Sequence, residues 1–284
     1  MKRYLFILSV FLVSQAAFPQ EIQKRTEWLP AGQLFPSLRF DPHEAQCSGS
    51  LYAFSDPGGW QNQCFANFSL GMRRNILRFQ HPGERKSEAG LEVAVLTQFL
   101  FEEPFERFQV NLFNVEFKIG AYYQYKLNDH WSFRARLSHL SAHLGDDYIF
   151  RYDIEHFLDN RRIYEMIDAA AAWQQGPWMV YGDAGFIFHS TYERRPLILQ
   201  CGGQWNPGSK KKNWISWLIG ADLLFEQQAC FRPGVHTGAG IVLGKKDRHP
   251  VTIVLDYYNG YLPYSLYDDV VIQWIGASLY FDPF

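Results

Sequence analysis

The last strand-like stretch of the sequence reads Val270-Val-Ile-Gln-Trp-Ile-Gly-Ala-Ser-Leu-Tyr-Phe-Asp-Pro-Phe284. Its residues alternate in character, which is typical of a strand that turns its two faces to different surroundings. Pro283 has no N–H to donate to a neighbouring strand, so strand pairing is expected to stop near Phe281. Phe284 remains a candidate signal for a barrel-assembly machinery, although the alternating register does not reach it.

The first residues of the sequence have the pattern of an export signal. Lys2 and Arg3 supply positive charge, and residues 4–13 form a short apolar core. Ser14-Gln-Ala16 then offers small residues at a cleavage site. The apolar core is too short to cross a bilayer as a helix, and no later stretch is apolar for long enough to do so. Behind such a signal, the terminal strand is typical of a β-barrel in the outer membrane of a Gram-negative bacterium.

The composition favours strands and gives no reason to expect a nucleic-acid partner. Aromatic residues make up 17% of the 284 residues, with 24 Phe, 16 Tyr and 9 Trp, which suits strands and the aromatic girdles of membrane barrels. The formal net charge is −2, so no basic surface for a nucleic acid is indicated. We expect no cofactor and no metal, because the spacing of the four cysteines matches no metal motif. In an oxidising compartment, a disulfide and buried single thiols both remain open for Cys47, Cys64, Cys201 and Cys230.

About twelve segments are strand-like and long enough to cross a membrane when tilted. They lie near residues 46–55, 62–79, 90–101, 110–126, 131–143, 162–174, 178–189, 196–205, 214–226, 232–244, 250–258 and 270–281. Short and long connections alternate between them, and an even number of strands puts both ends of the barrel in the periplasm. The predicted fold is therefore all-β, a transmembrane antiparallel β-barrel of about twelve strands. The expected organisation is a signal peptide over residues 1–16, an N-terminal periplasmic or plug segment over residues 17–45, and the barrel over residues 46–284.

The two faces of these segments differ in polarity. In the fourth segment, Phe117, Ile119 and Ala121 share an apolar face, while Glu116 and Lys118 lie on the opposite face. A soluble sandwich would also alternate, but its strands are usually shorter.

The seventh segment follows the same pattern. Phe186 and Phe188 belong to its apolar face, and Asp183 and His189 belong to its polar face. The polar faces are expected to line the lumen and carry both signs of charge. Their members include Lys118, Lys126, Arg134, Arg136, Glu92, Glu116, Asp168, Asp183, Asp222 and Asp256. Opposite charges that pair across a narrow lumen predict a barrel closed by side chains, not a wide pore.

Three stretches resemble a family of bacterial outer-membrane barrels known only as a domain of unknown function. They are Leu34-Phe-Pro-Ser-Leu-Arg-Phe-Asp-Pro-His43, Ser138-His-Leu-Ser-Ala-His-Leu-Gly-Asp-Asp147 and Asp256-Tyr-Tyr-Asn-Gly-Tyr261. The middle stretch is the most specific, although Ala142 stands where the family tends to have a second serine. The resemblance spans nearly the whole mature chain. It implies an exported barrel and no particular activity.

The fifth segment carries polar residues on an otherwise apolar face. That face continues into His139, Ser141 and His143, which would point toward lipid near the membrane boundary. Polar groups there are costly unless they are paired or functional. The imidazole of His139 and the hydroxyl of Ser141 share this face roughly two strand rises apart. A base beside a hydroxyl is the minimum for an activated serine nucleophile.

A third group is needed to orient the imidazole. If residue 143 lies opposite residue 161, then Glu165 lies opposite His139. With Ser141 as nucleophile, His139 as base and Glu165 as orienting group, the arrangement is similar to the lipid-facing triads of outer-membrane phospholipases and lipid A deacylases. Asp153, in the connection that follows, is a second candidate for the orienting carboxylate.

Two functions remain open from the sequence. The leading one is a structural, lipid-binding or narrow-transport barrel, because His and Ser at a membrane interface often bind only lipid headgroups or loop backbone. The alternative is a serine acyl hydrolase that acts on lipid A or phospholipid esters. His143, Asp146 and Asp147 could also bind a cation that bridges lipopolysaccharide phosphates, although a solvated acidic loop explains the same residues. In each case the expected partner is outer-membrane lipid or lipopolysaccharide.

Overall fold

A computed structural model of the protein describes residues 26–55, 63–102, 109–154, 161–207, 214–244, 249–263, 266–267 and 270–281. The expected signal peptide over residues 1–16 and the terminal Phe284 lie outside these ranges. Among the described residues, no helix is both long enough and apolar enough to cross a membrane.

Thirteen strands of the described chain form one antiparallel sheet. They are β1 (Thr26–Trp28), β2 (Cys47–Ser55), β3 (Gln63–Gln80), β4 (Lys86–Glu102), β5 (Gln109–Lys126), β6 (Trp131–Leu144), β7 (Arg161–Gln175), β8 (Trp178–Ser190), β9 (Leu197–Trp205), β10 (Ile215–Glu226), β11 (Pro233–Leu243), β12 (Val251–Tyr261) and β13 (Val271–Phe281). Strands β2 to β13 pair in chain order, and β13 also pairs with β2. These twelve strands therefore close into the predicted transmembrane barrel, while β1 adds a short pair to the end of β3.

The two ends of the barrel differ in their connections. At the inner end, as we call it, Gly176 and Pro177 alone join β7 to β8, and Gly176 has a φ of 57°, a conformation that favours glycine. At the opposite, outer end, residues 145–160 join β6 to β7 and include a short helix, α1 (Asp146–Arg151). Ile149 of α1 belongs to a buried apolar cluster, so the helix packs against the barrel.

The predicted strand boundaries are close to the observed ones, and the largest difference at the start of a strand is in β4. This strand begins at Lys86 rather than near residue 90. Lys86 and Glu88 are charged and weaken the sequence signal for a strand. In the lumen, however, NH2 of Arg78 donates a hydrogen bond of 2.7 Å to Oε2 of Glu88. This partner offsets the cost of burying the carboxylate, and it comes from the neighbouring strand.

Large apolar side chains cover the outward face of the barrel. Leu255 and Ile275 leave 70% and 65% of their area exposed, so the described part of the protein leaves most of each residue uncovered. Such a surface is unfavourable in water and is the expected surface of a barrel in lipid. Near the inner end, tryptophans pair across neighbouring strands, as expected for an aromatic girdle: Trp131 with Trp173, and Trp178 with Trp205.

Oppositely charged side chains pair in the lumen, as the alternation of the strands predicts. Nζ of Lys118 lies 2.9 Å from Oε1 of Glu92. Nε of Arg136 lies 2.8 Å from Oδ1 of Asp168. All four side chains are buried, so each charge is compensated where water is scarce.

Two predictions from the sequence concern the position of Lys126 and the state of the four cysteines. Lys126 is not a lumen residue, because its side chain is partly exposed at the inner end and pairs with Asp129 in the turn after β5. The four cysteines are all free thiols.

Residues 33–46, which we call the plug, run through the lumen. Phe35, Leu38 and Phe40 of the plug are almost fully buried. The N–H of Phe35 donates to Oε1 of Gln124 on β5 at 2.8 Å. The carbonyl oxygen of Phe40 lies 2.8 Å from Nδ1 of His236 on β11. The plug is therefore hydrogen-bonded to two separate parts of the barrel wall.

Glu44 of the plug supplies the central counter-charge of the lumen. Its Oε1 lies 2.9 Å from NH1 of Arg73 and 3.0 Å from NH1 of Arg134, and its Oε2 lies 3.3 Å from NH1 of Arg136. Burial by itself raises the pKa of the Glu44 carboxyl, but these guanidinium groups outweigh that effect and hold the pKa below its usual range. Glu44 is therefore a charged, fully buried carboxylate.

The barrel wall leaves space for the ring of Phe40. A Cβ atom added to Gly220 would lie 2.4 Å from Cε2 of Phe40, and one added to Gly238 would lie 2.9 Å from its Cε1. Both distances are shorter than normal contacts, so glycine at these positions in β10 and β11 allows the ring to approach the backbone. The plug and the wall are thus matched in shape as well as in charge.

Replacing Glu44 with glutamine should destabilise the barrel, because three buried guanidinium groups lose a shared counter-charge. Removing one partner of a buried ion pair typically costs about 3 kcal/mol or more. Urea unfolding of the protein in lipid vesicles, followed by its gel mobility, measures the change. Glu27→Gln is the matched control, since Glu27 is half exposed and lies 3.8 Å from Arg78, and it should cost less than about 1 kcal/mol.

The destabilisation caused by Glu44→Gln should also depend on pH. Because folding lowers the pKa of Glu44, its stabilisation is complete above the ordinary carboxyl pKa and is lost as the pH falls below that value. The difference in unfolding free energy between wild type and Glu44→Gln should therefore narrow as the pH decreases from about 7 to about 3. A difference that stays constant over this interval contradicts the proposed role of the charge.

Candidate functional site

Three polar residues of β6 lie on the outward face of the barrel, near its outer end. His139, Ser141 and His143 alternate with Leu140 and Ala142, which are buried on the lumen side. The sequence predicts this arrangement. The His139 side chain is 45% exposed, so the imidazole is accessible from the surface that the apolar belt occupies.

Strand β7 brings a carboxylate to His139. In the ladder between β6 and β7, His143 pairs with Arg161 and His139 pairs with Glu165, which is the register that the triad hypothesis assumes. Nδ1 of His139 lies 3.0 Å from Oε1 of Glu165. A carboxylate at Nδ1 favours the tautomer that is protonated there, so Nε2 remains able to accept a proton.

A second histidine shares the same carboxylate. Nδ1 of His189, on β8, forms a close contact with Oε2 of Glu165. The sequence pattern assigned His189 to the lumen face, and this is wrong. The ladder pairs Glu165 with His189 and Met166 with Ile187, so Phe188 is an extra residue that forms a β-bulge. The bulge leaves Phe188 and His189 both exposed on the outward face.

The Glu165 carboxylate therefore lies between two imidazoles on the outward surface. Its side chain is 28% exposed, whereas that of His189 is 62% exposed. The contacts satisfy polar groups at a surface where lipid offers them few partners. The His189 contact involves Oε2 and the His139 contact involves Oε1, so the two histidines together restrict rotation of the carboxylate. A bulge cannot be inferred from alternation alone, because the extra residue becomes visible only when the two strands are paired.

Ser141 lies two residues from His139 on the same face. Its neighbours across the ladders are Phe117 on β5 and Ile163 on β7, and its side chain is half-buried. Within the described chain, no hydrogen bond joins the hydroxyl of Ser141 to His139. Catalytic hydrogen bonds often form only when substrate is bound. The face thus presents a hydroxyl, an imidazole and a carboxylate together.

Asp153, the second candidate for the orienting carboxylate, does not take that position. It follows α1 in the connection between β6 and β7 and is exposed. Nδ1 of His139 contacts Glu165, so the carboxylate beside the imidazole comes from the neighbouring strand and not from the loop.

The acidic residues beside the outer end do not assemble into a metal site. Among the described residues, no group of three or more His, Cys, Asp and Glu side chains could hold a metal ion. Nδ1 of His143 lies 3.0 Å from the carbonyl oxygen of Leu144, and its ring stacks on Phe117. Asp147 accepts a hydrogen bond of 3.4 Å from the N–H of Leu112. These contacts are structural.

A separate small cavity opens at the outer mouth of the lumen. Arg162, Arg194 and Glu116 are among its lining residues, and the plug contributes His43. Arg162 alternates with the outward-facing residues of β7, so the cavity and the cluster around Glu165 lie on opposite faces of the same strands. A lipid on the outward face does not reach this cavity.

These features define a transmembrane β-barrel of the outer-membrane type, with a filled lumen and a polar cluster on its outward face. The sequence matches the model of a family described as "Protein of unknown function (DUF1207)" over residues 12–282. The chain belongs to this family. It matches no curated protein.

Solved structures share the fold at low sequence identity. The outer membrane phospholipase (OMPLA) dimer with bound calcium from Salmonella typhi aligns with a TM-score of 0.54 and 12% identity, over 88% of this chain and 95% of that chain. Outer membrane phospholipase A from Escherichia coli aligns with a TM-score of 0.52 and 10% identity, over 89% of this chain and 99% of that one. At such identities the likeness shows the fold alone, which is that of outer-membrane barrels.

Cross-linking tests the register on which the site depends. In a background with the four native cysteines replaced by serine, His139→Cys combined with Glu165→Cys should form a disulfide on oxidation. Directly opposed residues place their Cβ atoms about 5 Å apart on one face. Intact-mass spectrometry after thiol blocking measures the cross-link.

The control pair is Leu140→Cys with Glu165→Cys, because Leu140 points into the lumen. It should stay reduced. A disulfide in the control pair and none in the test pair would mean that β6 is shifted by one residue against β7.

Proposed function

We propose that the protein is a serine acyl hydrolase of the outer membrane of a Gram-negative bacterium, which cleaves acyl esters of phospholipid or lipid A from its lipid-facing surface. One observation carries the proposal. Nδ1 of His139 lies 3.0 Å from Oε1 of Glu165, with Ser141 on the same outward face. A purely apolar face would suit a structural barrel better, because each polar group exposed to lipid carries a cost.

The proposed reaction is acyl transfer to Ser141. Its Oγ attacks the ester carbonyl while Nε2 of His139 takes the hydroxyl proton, and Glu165 stabilises the resulting imidazolium through Nδ1. The alcohol of the lipid leaves with the proton that Nε2 returns, and an acyl-serine remains. Water, deprotonated by the same imidazole, then attacks the acyl-serine, and Nε2 returns that proton to Oγ of Ser141 as the fatty acid is released.

The other functions considered from the sequence have less support. Narrow transport is disfavoured, because buried apolar residues of the plug, such as Phe35 and Leu38, occupy the lumen. A structural or lipid-binding barrel needs its lipid-facing polar groups only to pair with one another, as His139 and Glu165 do. It does not require a hydroxyl beside them, so the role of Ser141 separates the hypotheses.

Ser141→Ala should abolish ester cleavage, because the nucleophilic oxygen is removed while the fold is kept. We expect a loss of about 10³-fold or more, as for other nucleophiles of this kind. The measurement is fatty acid released by the purified protein from phosphatidylglycerol and from lipid A in mixed micelles. Ser138→Ala is the matched control, since Ser138 is on the same strand and buried on the lumen side.

A fluorophosphonate probe provides an independent readout. It should label the wild type and the Ser138→Ala variant at Ser141, and it should not label Ser141→Ala. The proposal is wrong if the wild type cleaves neither lipid, or if Ser141→Ala is as active as the wild type.

Glu165→Gln should lower kcat by about 10²-fold or more, because an amide cannot stabilise the imidazolium and can favour the unproductive tautomer of His139. The variant keeps the size of the side chain, so gel mobility after heating should be unchanged. Glu193→Gln is the control, since Glu193 is exposed in the connection after β8. Equal kcat for both variants would exclude Glu165 as the orienting group.

A further inference from the structure

Arg161 is an exposed cation on the same outward face as Glu165. It is the first residue of β7 and lies opposite His143. In the part of the chain that the structure describes, no hydrogen bond or ion pair joins its side chain to another residue. The nearby Glu165 carboxylate is already shared by His139 and His189. Among the described residues, the positive charge of Arg161 therefore has no counter-charge of its own.

The position of Arg161 relative to Ser141 is set by the ladder. Ser141 pairs with Ile163, and Arg161 is two residues further toward the outer end. Two residues of a strand span about 7 Å, which is within reach of a flexible arginine side chain. Arg162, the next residue, points to the lumen cavity instead.

Arg161 lies nearer the outer end of the barrel than Ser141 does. The ester and the phosphate of a phosphate-bearing membrane lipid follow one another in the same order. The acyl ester lies at the boundary of the hydrocarbon, and the phosphate lies beyond it on the side of the water. Arginine binds phosphate through two parallel N–H donors, and more strongly than it binds a neutral headgroup. A lipid whose ester carbonyl is at Ser141 would therefore bring its phosphate to the level of Arg161.

We propose that Arg161 binds the phosphate of the substrate, so that the site selects acyl esters that carry a phosphate on the water side of the ester. This inference rests on the proposed hydrolase and names its substrate class. Glycerophospholipids and phosphorylated lipid A share the relevant chemistry. Arg161 binds ground state and transition state alike, so its loss acts mainly on KM.

The experiment compares phosphatidylglycerol, diacylglycerol with the same acyl chains, and lipid A as substrates of the purified protein in mixed micelles. The wild type should cleave phosphatidylglycerol or lipid A with a kcat/KM about tenfold or more above that for diacylglycerol. Arg161→Ala should remove this preference by raising KM, with kcat nearly unchanged, and Arg161→Lys should restore part of it. Arg85→Ala, in the exposed turn after β3, should behave as the wild type.

A binding measurement separates failure of this inference from failure of the proposed function. In the inactive Ser141→Ala background, native mass spectrometry should detect retention of phosphatidylglycerol over diacylglycerol, and Arg161→Ala should abolish it. Cleavage of all esters at equal rates, with no effect of Arg161→Ala, overturns the phosphate site and leaves the hydrolase intact. Absence of any cleavage overturns the hydrolase. Equal retention of phosphatidylglycerol and diacylglycerol overturns the phosphate site, whether or not the wild type cleaves esters.

Discussion

The carboxylate of Glu44 lies between the guanidinium groups of Arg73, Arg134 and Arg136, with no exposure to solvent. The arginines come from β3 and β6, whereas Glu44 comes from the plug, so this contact joins the N-terminal segment to the wall. Alternation along each strand sends polar side chains into the lumen once the outward face is apolar. Buried charges then need partners, and at the centre of the lumen the plug supplies one.

The plug occupies most of the lumen, and the polar cluster around Glu165 lies on the outward face. The plug also seats Phe40 against Gly220 and Gly238, where no larger residue fits, so the interior is matched in shape as well as charge. On the outside, His139 and Glu165 interrupt the apolar face. Nδ1 of His139 lies 3.0 Å from Oε1 of Glu165, so each polar group has the other as a partner. The same closed ladder that buries the lumen charges thus holds the lipid-facing cluster in register on rigid strands.

Sequence reasoning predicted the strands, the faces and the contact between His139 and Glu165. Residues opposed on paired strands share a face, and in the register assumed from the sequence, with residue 143 opposite residue 161, Glu165 lies opposite His139. The same reasoning assigned His189 to the lumen. It failed there because Phe188 is a bulged residue, and one extra residue moves the side chain that follows it to the other face.

The sequence by itself therefore determined the barrel and the polarity of its two surfaces, because period-two alternation is a local property. It offered one register that brings Glu165 opposite His139, and the paired strands have that register. Only the tertiary structure decided that Glu44 is the counter-charge of three arginines and that His189 shares Glu165. Glu44 and Arg134 are 90 residues apart in the chain, and a pairing of that kind depends on the closure of the whole barrel. No pattern within one strand contains that information.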